Sequence, residues 1–218
     1  MNSPADKPRR RRLWGLLAAV VVAEAAVVGG FIWPLAAAKW RASPDRREAN
    51  QPATRPANWA QQLSITGLKN ASKVSPGLYR AARPTAEGLR QLKTMGVRTV
   101  VNLEVFHSDE EMLAGTGLNG VRISFKAWHP EPADIVAFLK VAADANLTPV
   151  FVHCLHGSDR TGTMCAVYRI AVQGWDKQQA IDEMVHGGFG FHPDWQNLLE
   201  FIDKLDVDAL KKEAGMER

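Results

Sequence analysis

Apolar positions follow three regimes along the chain. Residues 13–38 form one run, LWGLLAAVVVAEAAVVGGFIWPLAAA, broken by a single charge at Glu24. Residues 41–62 lose any apolar period, and Pro44, Pro52 and Pro56 punctuate a polar stretch. Beyond residue 62, short β-branched runs alternate with segments of helical period, and no internal repeat is visible.

The first regime predicts a membrane-spanning helix. At 1.5 Å per residue, residues 13–33 extend about 30 Å, the thickness of a bilayer hydrocarbon core. Trp14 and Trp33 stand where aromatic anchors favour the headgroup boundary, and Pro34 ends or kinks the helix. Glu24 costs free energy at mid-membrane unless it is protonated or paired. Ala25 with Gly29 and Ala26 with Gly30 give small-residue pairs that permit helix packing, as does any Ala/Gly-rich anchor, so oligomeric state stays open. A cleavable secretory signal is the rival reading, since Ala36 and Ala38 have A-x-A spacing, but its apolar core is roughly 7–15 residues long. Arg9, Arg10, Arg11 and Arg12 precede the run, and basic residues follow it as well. The expected localisation is a single-pass protein of a bacterial inner membrane; the short basic N-terminus inclines the catalytic domain to the outer, periplasmic side.

The third regime predicts a layered domain. Leu89 and Leu92 mark a helix over 85–95 that stops at Gly96, followed by a buried strand, VRTVVNL, over 97–103. Ser108 to Glu111 has capping-box spacing before the glycines at 115 and 117. A strand is expected over 121–125, then a helix over 132–145 with Pro132 in its first turn and Ile135, Leu139 and Ala142 on one face. A strand over 149–153 and a helix over 160–172 come next, and Asp176 to Gln179 caps a helix through Val185. A last helix after Pro193 carries Trp195, Leu198, Leu199, Ile202 and Leu205 on its inner stripe. The expected fold is α/β, a mainly parallel central sheet flanked by helices. The expected organisation is a basic tail over 1–12, an anchor over 13–38, a linker over 39–62 and a catalytic domain over 63–213.

Charge sharpens the picture. The 218 residues carry a net +4, yet residues 1–62 hold ten Lys/Arg against four Asp/Glu, and residues 63–218 hold 17 against 19. Basicity belongs to the N-terminal arm, and the domain lacks the basic stripe of a nucleic-acid binder. Two cysteines are too few for a disulfide scaffold or a four-ligand zinc site.

One segment carries chemistry: Val150-Phe-Val-His153-Cys154-Leu-His-Gly-Ser-Asp-Arg160-Thr161-Gly162. A strand ends at His153, and a helix begins near Arg160. The loop of Leu155, His156, Gly157, Ser158 and Asp159 can turn its N–H groups inward as an anion nest at a helix N-terminus. That field favours a thiolate at Cys154. Arg160 offers a bidentate fork to a tetrahedral phosphate, Gly157 lets the backbone approach the ligand, and Thr161 can donate its hydroxyl to the sulfur. Cys165, inside the following helix, reads as a small buried hydrophobe.

HCLHGSDRTG resembles the H-C-x5-R-[ST]-G signature of the cysteine-dependent protein tyrosine and dual-specificity phosphatases. Leu78-Tyr-Arg-Ala-Ala-Arg-Pro84 and Val100-Val-Asn-Leu103 extend the likeness toward the small atypical bacterial, plant and fungal members. The resemblance implies in-line attack by Cys154, a phosphocysteine, then hydrolysis, with no metal or cofactor. It implies a phosphorylated protein substrate, with a phosphoinositide or inositol phosphate as the alternative. The family also supplies an aspartic general acid upstream. Its usual Trp-Pro-Asp order is missing from Phe125-Lys-Ala-Trp-His-Pro-Glu-Pro-Ala-Asp134. Asp134 is the preferred donor, ahead of Glu131 and His129, although Asp134 could instead cap the helix. That irregular loop also admits a phospho-ligand binding module without turnover. Arg80 and Glu104, near strand ends, could hold Arg160 or steer phosphate, with a surface ion pair the preferred reading; Phe189 and Phe191 read as packing ahead of lining the pocket mouth, and His156 and Asp159 as outward loop side chains.

Overall fold

The computed structural model describes residues 55–216. The basic tail, the anchor expected over 13–38 and the linker up to residue 54 lie outside the described residues. Among those described, no helix is long and apolar enough to cross a membrane.

The strands are β1 (Gln61–Gln62), β2 (Ser72–Ser75), β3 (Leu78–Ala82), β4 (Thr99–Asn102), β5 (Asn119–Arg122) and β6 (Val150–Cys154). The helices are α1 (Ala86–Thr94), α2 (Glu110–Leu113), α3 (Pro132–Ala142), α4 (Asp159–Ala171), α5 (Lys177–His186), α6 (Gln196–Lys204) and α7 (Val207–Glu213). One sheet runs in the order β1-β2-β3-β6-β4-β5. Strand β6 lies parallel to both β3 and β4, and β4 lies parallel to β5. The sheet is mixed, because β1 and β2 add antiparallel partners at one edge.

Strands β4 and β6 are buried at every position, so their near-continuous apolar runs belong to strands covered on both faces. The expected strand over 121–125 is shifted. Edge strand β5 pairs from Asn119 to Arg122 and is mostly exposed, while the apolar Ile123 and Phe125 that suggested a strand are buried just past its end. Phe125 donates its N–H back to the Ile123 carbonyl at 2.7 Å, which breaks the extension.

Helix α1 is capped by Thr85, whose hydroxyl accepts from the Gly88 amide, and α5 by Asp176, which accepts from the Gln178 and Gln179 amides. The capping box expected at Ser108 forms only in part: Ser108 Oγ accepts the Glu110 amide at 3.2 Å rather than that of Glu111. Asp109 takes the N-cap position of α2 and makes no side-chain cap bond, because its carboxylate is committed to His153. In α6, Leu198, Leu199 and Ile202, with Leu205 at its C-cap, are buried as the stripe predicts, whereas Trp195 falls in a preceding 3-10 turn and is half-buried. Helix α7, absent from the sequence reading, follows.

Helix α4 is buried on all sides except at Arg160, which places it at the centre of the helical layer. Its Arg169 forms a buried fork with Glu183 of α5, Nε and Nη2 each 2.7 Å from a carboxylate oxygen. The chain expected as linker reaches into this pair. Glu183 accepts the Ala60 amide at 2.5 Å, and Arg169 donates to the Asn58 carbonyl at 3.2 Å. Removing one partner strands a buried charge, so Glu183→Gln should cost about 3–5 kcal/mol of unfolding free energy in urea titrations. Glu200→Gln, which breaks only the exposed pair with Lys204, should change the same curve by less than about 0.5 kcal/mol.

Candidate active site

Residues 155–158 join β6 to α4, two elements with almost no exposed surface, so both ends of the loop are fixed. Cys154 closes β6 and is 3% exposed. Gly157 has φ +71°, and a Cβ there would fall 2.4–2.5 Å from backbone atoms of Ala81 and Ala82 in β3. Only glycine lets the loop lie this close to the strand.

Three consecutive loop carbonyls are held from behind. The Arg83 amide donates to the Leu155 carbonyl at 3.3 Å, Asn70 Nδ2 to that of His156 at 3.1 Å, and Arg80 Nη2 to that of Gly157 at 2.5 Å. In a planar trans peptide the N–H points opposite to its carbonyl. Holding these carbonyls outward therefore turns the amides of His156, Gly157 and Ser158 the other way, which is the geometry of an anion nest. Ser158 Oγ donates to the Phe189 carbonyl at 2.8 Å, and Asn70 Nδ2 reaches the same carbonyl at 2.8 Å.

Arg160 enters at the second position of α4, half-buried, with Nη1 3.4 Å from the Leu103 carbonyl. Among the described residues no carboxylate pairs with it. Glu104 is buried and engaged by Arg83 instead, correcting its reading as a surface residue. Burial alone would raise the Glu104 carboxyl, but the Arg83 fork more than offsets this and holds it below the usual glutamate range. Asp159 also departs from expectation. It is buried, and its carboxylate accepts the His192 amide and faces His192 Nδ1, both at 2.8 Å, tying α4 to the segment before the 3-10 turn. The expected hydrogen bond from Thr161 to the sulfur is not made, since its fully buried Oγ1 has no partner. His153 stacks on Phe151 with ring centroids 5.5 Å apart, and its Nε2 lies 2.6 Å from Asp109.

At the rim, Leu155 is 43% exposed and His156 is exposed. A cleft of about 390 Å³ beside the loop is lined by Asn70, His156, Ser158, Phe189 and His192. A larger one, about 560 Å³, lies between α2 and β5 and is lined by Asp109 and Arg122 rather than by the loop. Of the three candidate acids, Glu131 occupies the N-cap position of α3 without a capping bond and lies 3.8 Å from Lys126 and His129, all three at the surface. Asp134 is one turn further in, half-buried, and is not the cap. Burial and the neighbouring Glu131 push its carboxyl above the usual aspartate range.

The sequence reading allowed Arg80 to steer phosphate but preferred a surface ion pair, which its burial corrects. It is fully buried beneath the loop, with its guanidinium 3.8 Å from the centroid of the Phe189 ring. The available signal was its place in β3, an arginine between positions that pair with the catalytic strand. Phe189 packs, as expected, and its ring lies under this cation.

A thiol closing a buried strand, an amide-lined loop and an arginine on the next helix define a cysteine-dependent phosphatase. A family model described as a DSP-PTPase phosphatase fused to NAD+ kinase matches residues 52–192. The dual specificity protein phosphatase TpbA of Pseudomonas aeruginosa is 38% identical over 167 residues, covering 75% of this chain and 74% of that protein. The crystal structure of P. aeruginosa TpbA superposes with a TM-score of 0.66 at 36% identity, covering 74% of this chain and 99% of that one. Inositol diphosphatase DSP3 of Arabidopsis thaliana is 29% identical, covering 66% of this chain and 73% of that protein. The chain belongs to the DSP-PTPase family of tyrosine and dual-specificity phosphatases, and it is a phosphatase.

The two thiols should differ sharply. Desolvation inside α4 pushes Cys165 up to about 11, so it stays protonated at neutral pH. Iodoacetamide at pH 7 should modify Cys154 alone, and orthovanadate should slow that reaction. Peptide mapping by mass spectrometry reads both sites, and comparable labelling of Cys165 would contradict the assignment.

Proposed function

We propose that this chain hydrolyses phosphotyrosine or phosphoserine/threonine in proteins through a cysteinyl phosphate. The nest formed by residues 155–158, with its three carbonyls held outward, is the observation that carries the reading. Cys154 Sγ attacks phosphorus in line, the S–P bond forms and the ester P–O bond breaks. Arg160 and the amides of Leu155, His156, Gly157, Ser158 and Asp159 bind the equatorial oxygens. Asp134 delivers its proton to the departing oxygen, then takes one from the water that cleaves the S–P bond. Thr161, its hydroxyl unpaired beside the loop, stabilises the sulfur as it leaves.

The substrate class rests on the rim. A polyphosphate would draw cations there, whereas Leu155 offers an apolar surface suited to an aromatic ring or peptide. A crystal structure of a TpbA variant in complex with pTyr, 34% identical with a TM-score of 0.66, supports the same class. The inositol diphosphatases among the relatives mark the alternative substrate.

Cys154→Ser should abolish phosphate release from every substrate. Asp134→Asn should slow a phosphotyrosine peptide by about 10²–10⁴-fold and p-nitrophenyl phosphate far less, because p-nitrophenolate leaves without a proton. The acid must be protonated to act, and its raised pKa extends that form to higher pH. Activity on the peptide should therefore fall as pH climbs through this pKa, and Asp134→Asn should erase the fall. Equal slowing of both substrates would remove Asp134 from the mechanism. Faster turnover of an inositol diphosphate than of the peptide would transfer the substrate assignment.

Residues 13–38 are the basis for a second element of the proposal, a single-pass anchor that holds the phosphatase at a bacterial inner membrane with its catalytic domain on the periplasmic side. The full chain should remain in the membrane fraction through alkaline carbonate washing. A mature form beginning near Lys39 would identify a cleaved signal instead.

A further inference from the structure

Four buried or half-buried arginines lie on β3, just past it and on α4; two have carboxylate partners, and Arg160 is the half-exposed arginine of the phosphate loop. Arg169 is bidentate to Glu183, and Arg83 is paired with Glu104. Arg80 differs. It is 2% exposed, its Nη2 is spent on the Gly157 carbonyl, and its Nε has no hydrogen-bond partner. Among the described residues no carboxylate pairs with it. A guanidinium keeps its charge at every working pH, so this is a buried, uncompensated cation. Such an arrangement is unfavourable in isolation, because burial strips water that nothing negative replaces.

Two features make it tolerable. The face of Phe189 covers the guanidinium at 3.8 Å and supplies quadrupole attraction. The Phe189 carbonyl is in turn bonded by Ser158 Oγ and Asn70 Nδ2, so the ring is registered to the loop it underlies. The charge sits one peptide behind the amides that face the anion, and close enough to Cys165 to draw that thiol partly back down.

We propose that Arg80 is a positioning residue whose counter-ion is supplied by the reaction: the phosphoryl dianion held by the loop when substrate is bound. It fixes the Gly157 peptide so that its neighbour's amide faces the phosphate, and it adds a fixed positive charge from the protein side. Arg160, half-buried on α4, is the second cation assigned to that anion. The proposal rests on the phosphatase reading of loop 154–160.

The test separates charge from scaffolding. Arg80→Gln keeps a donor for the Gly157 carbonyl without the charge, and Arg80→Lys keeps the charge without the fork. In the full chain, the readouts are the orthovanadate inhibition constant, KM and kcat for p-nitrophenyl phosphate taken separately, and the melting temperature. Arg80→Gln should weaken vanadate about tenfold or more, since the bound oxyanion loses a buried positive charge behind the loop. Arg80→Lys should restore vanadate affinity to within about threefold of wild type, the signature of a retained charge. Equal weakening in both variants would reduce Arg80 to a scaffold, and a wild-type vanadate affinity in Arg80→Gln would overturn the proposal outright. Should Arg80→Gln not fold, Arg80→Met takes its place with the same readouts. An inactive wild-type chain would instead overturn the phosphatase reading, which these comparisons do not touch.

Discussion

The outward tethering of three carbonyls in a four-residue loop governs the rest of this molecule. A short loop between a strand and a helix can satisfy its peptide groups inward or outward, and only the second choice leaves N–H groups free for an anion. Here the choice is made by Arg80 of β3, by the Arg83 amide just past that strand and by the Asn70 side chain in the turn before β2. Gly157 makes the tethers short enough, because any Cβ would strike the β3 backbone. The nest is thus a property of the strand beside it as much as of the loop, which explains why β3 must run parallel to β6 and in contact with it.

The two flanks of the loop are equally constrained. Strand β6 is covered on both faces, and α4 is surrounded by sheet and helices, so neither end can drift. Preorganisation of this kind moves the cost of orienting dipoles into folding, leaving little to reorganise when charge develops on the phosphate. The Asp159–His192 pair and the Ser158–Phe189 bond extend the same rigidity to the segment that forms one wall of the cleft.

Much of this was legible in the sequence because the relevant signals are local. The β-branched runs of β4 and β6, the Asp176 cap and the spacing from Cys154 to Arg160 each depend on neighbours in the chain. What escaped depends on distant partners. Asp109, inside the Ser108 box, takes the N-cap position of α2 yet spends its carboxylate on His153, 44 residues along the chain. Glu104 and Arg80 looked superficial because charged residues usually are. Nothing local distinguishes an arginine that will lie over a phenyl ring 109 residues later. Edge strand β5 was misplaced because a half-exposed strand has too little apolar pattern to declare its register.

The contact between the Ala60 amide and Glu183 bears on where this protein can be cut. Hydropathy places the domain boundary after residue 62, where the polar proline-rich stretch gives way to strands. A fragment trimmed there would lose Asn58 and Ala60, and with them two of the hydrogen bonds that satisfy a buried ion pair at the centre of the helical layer. Arg55, which reaches the carbonyls of both Ala60 and Gly187, would go too. The shortest piece that keeps its interior polar groups satisfied begins upstream of Arg55, so the edge of the fold is set by buried hydrogen bonds rather than by the composition of the chain.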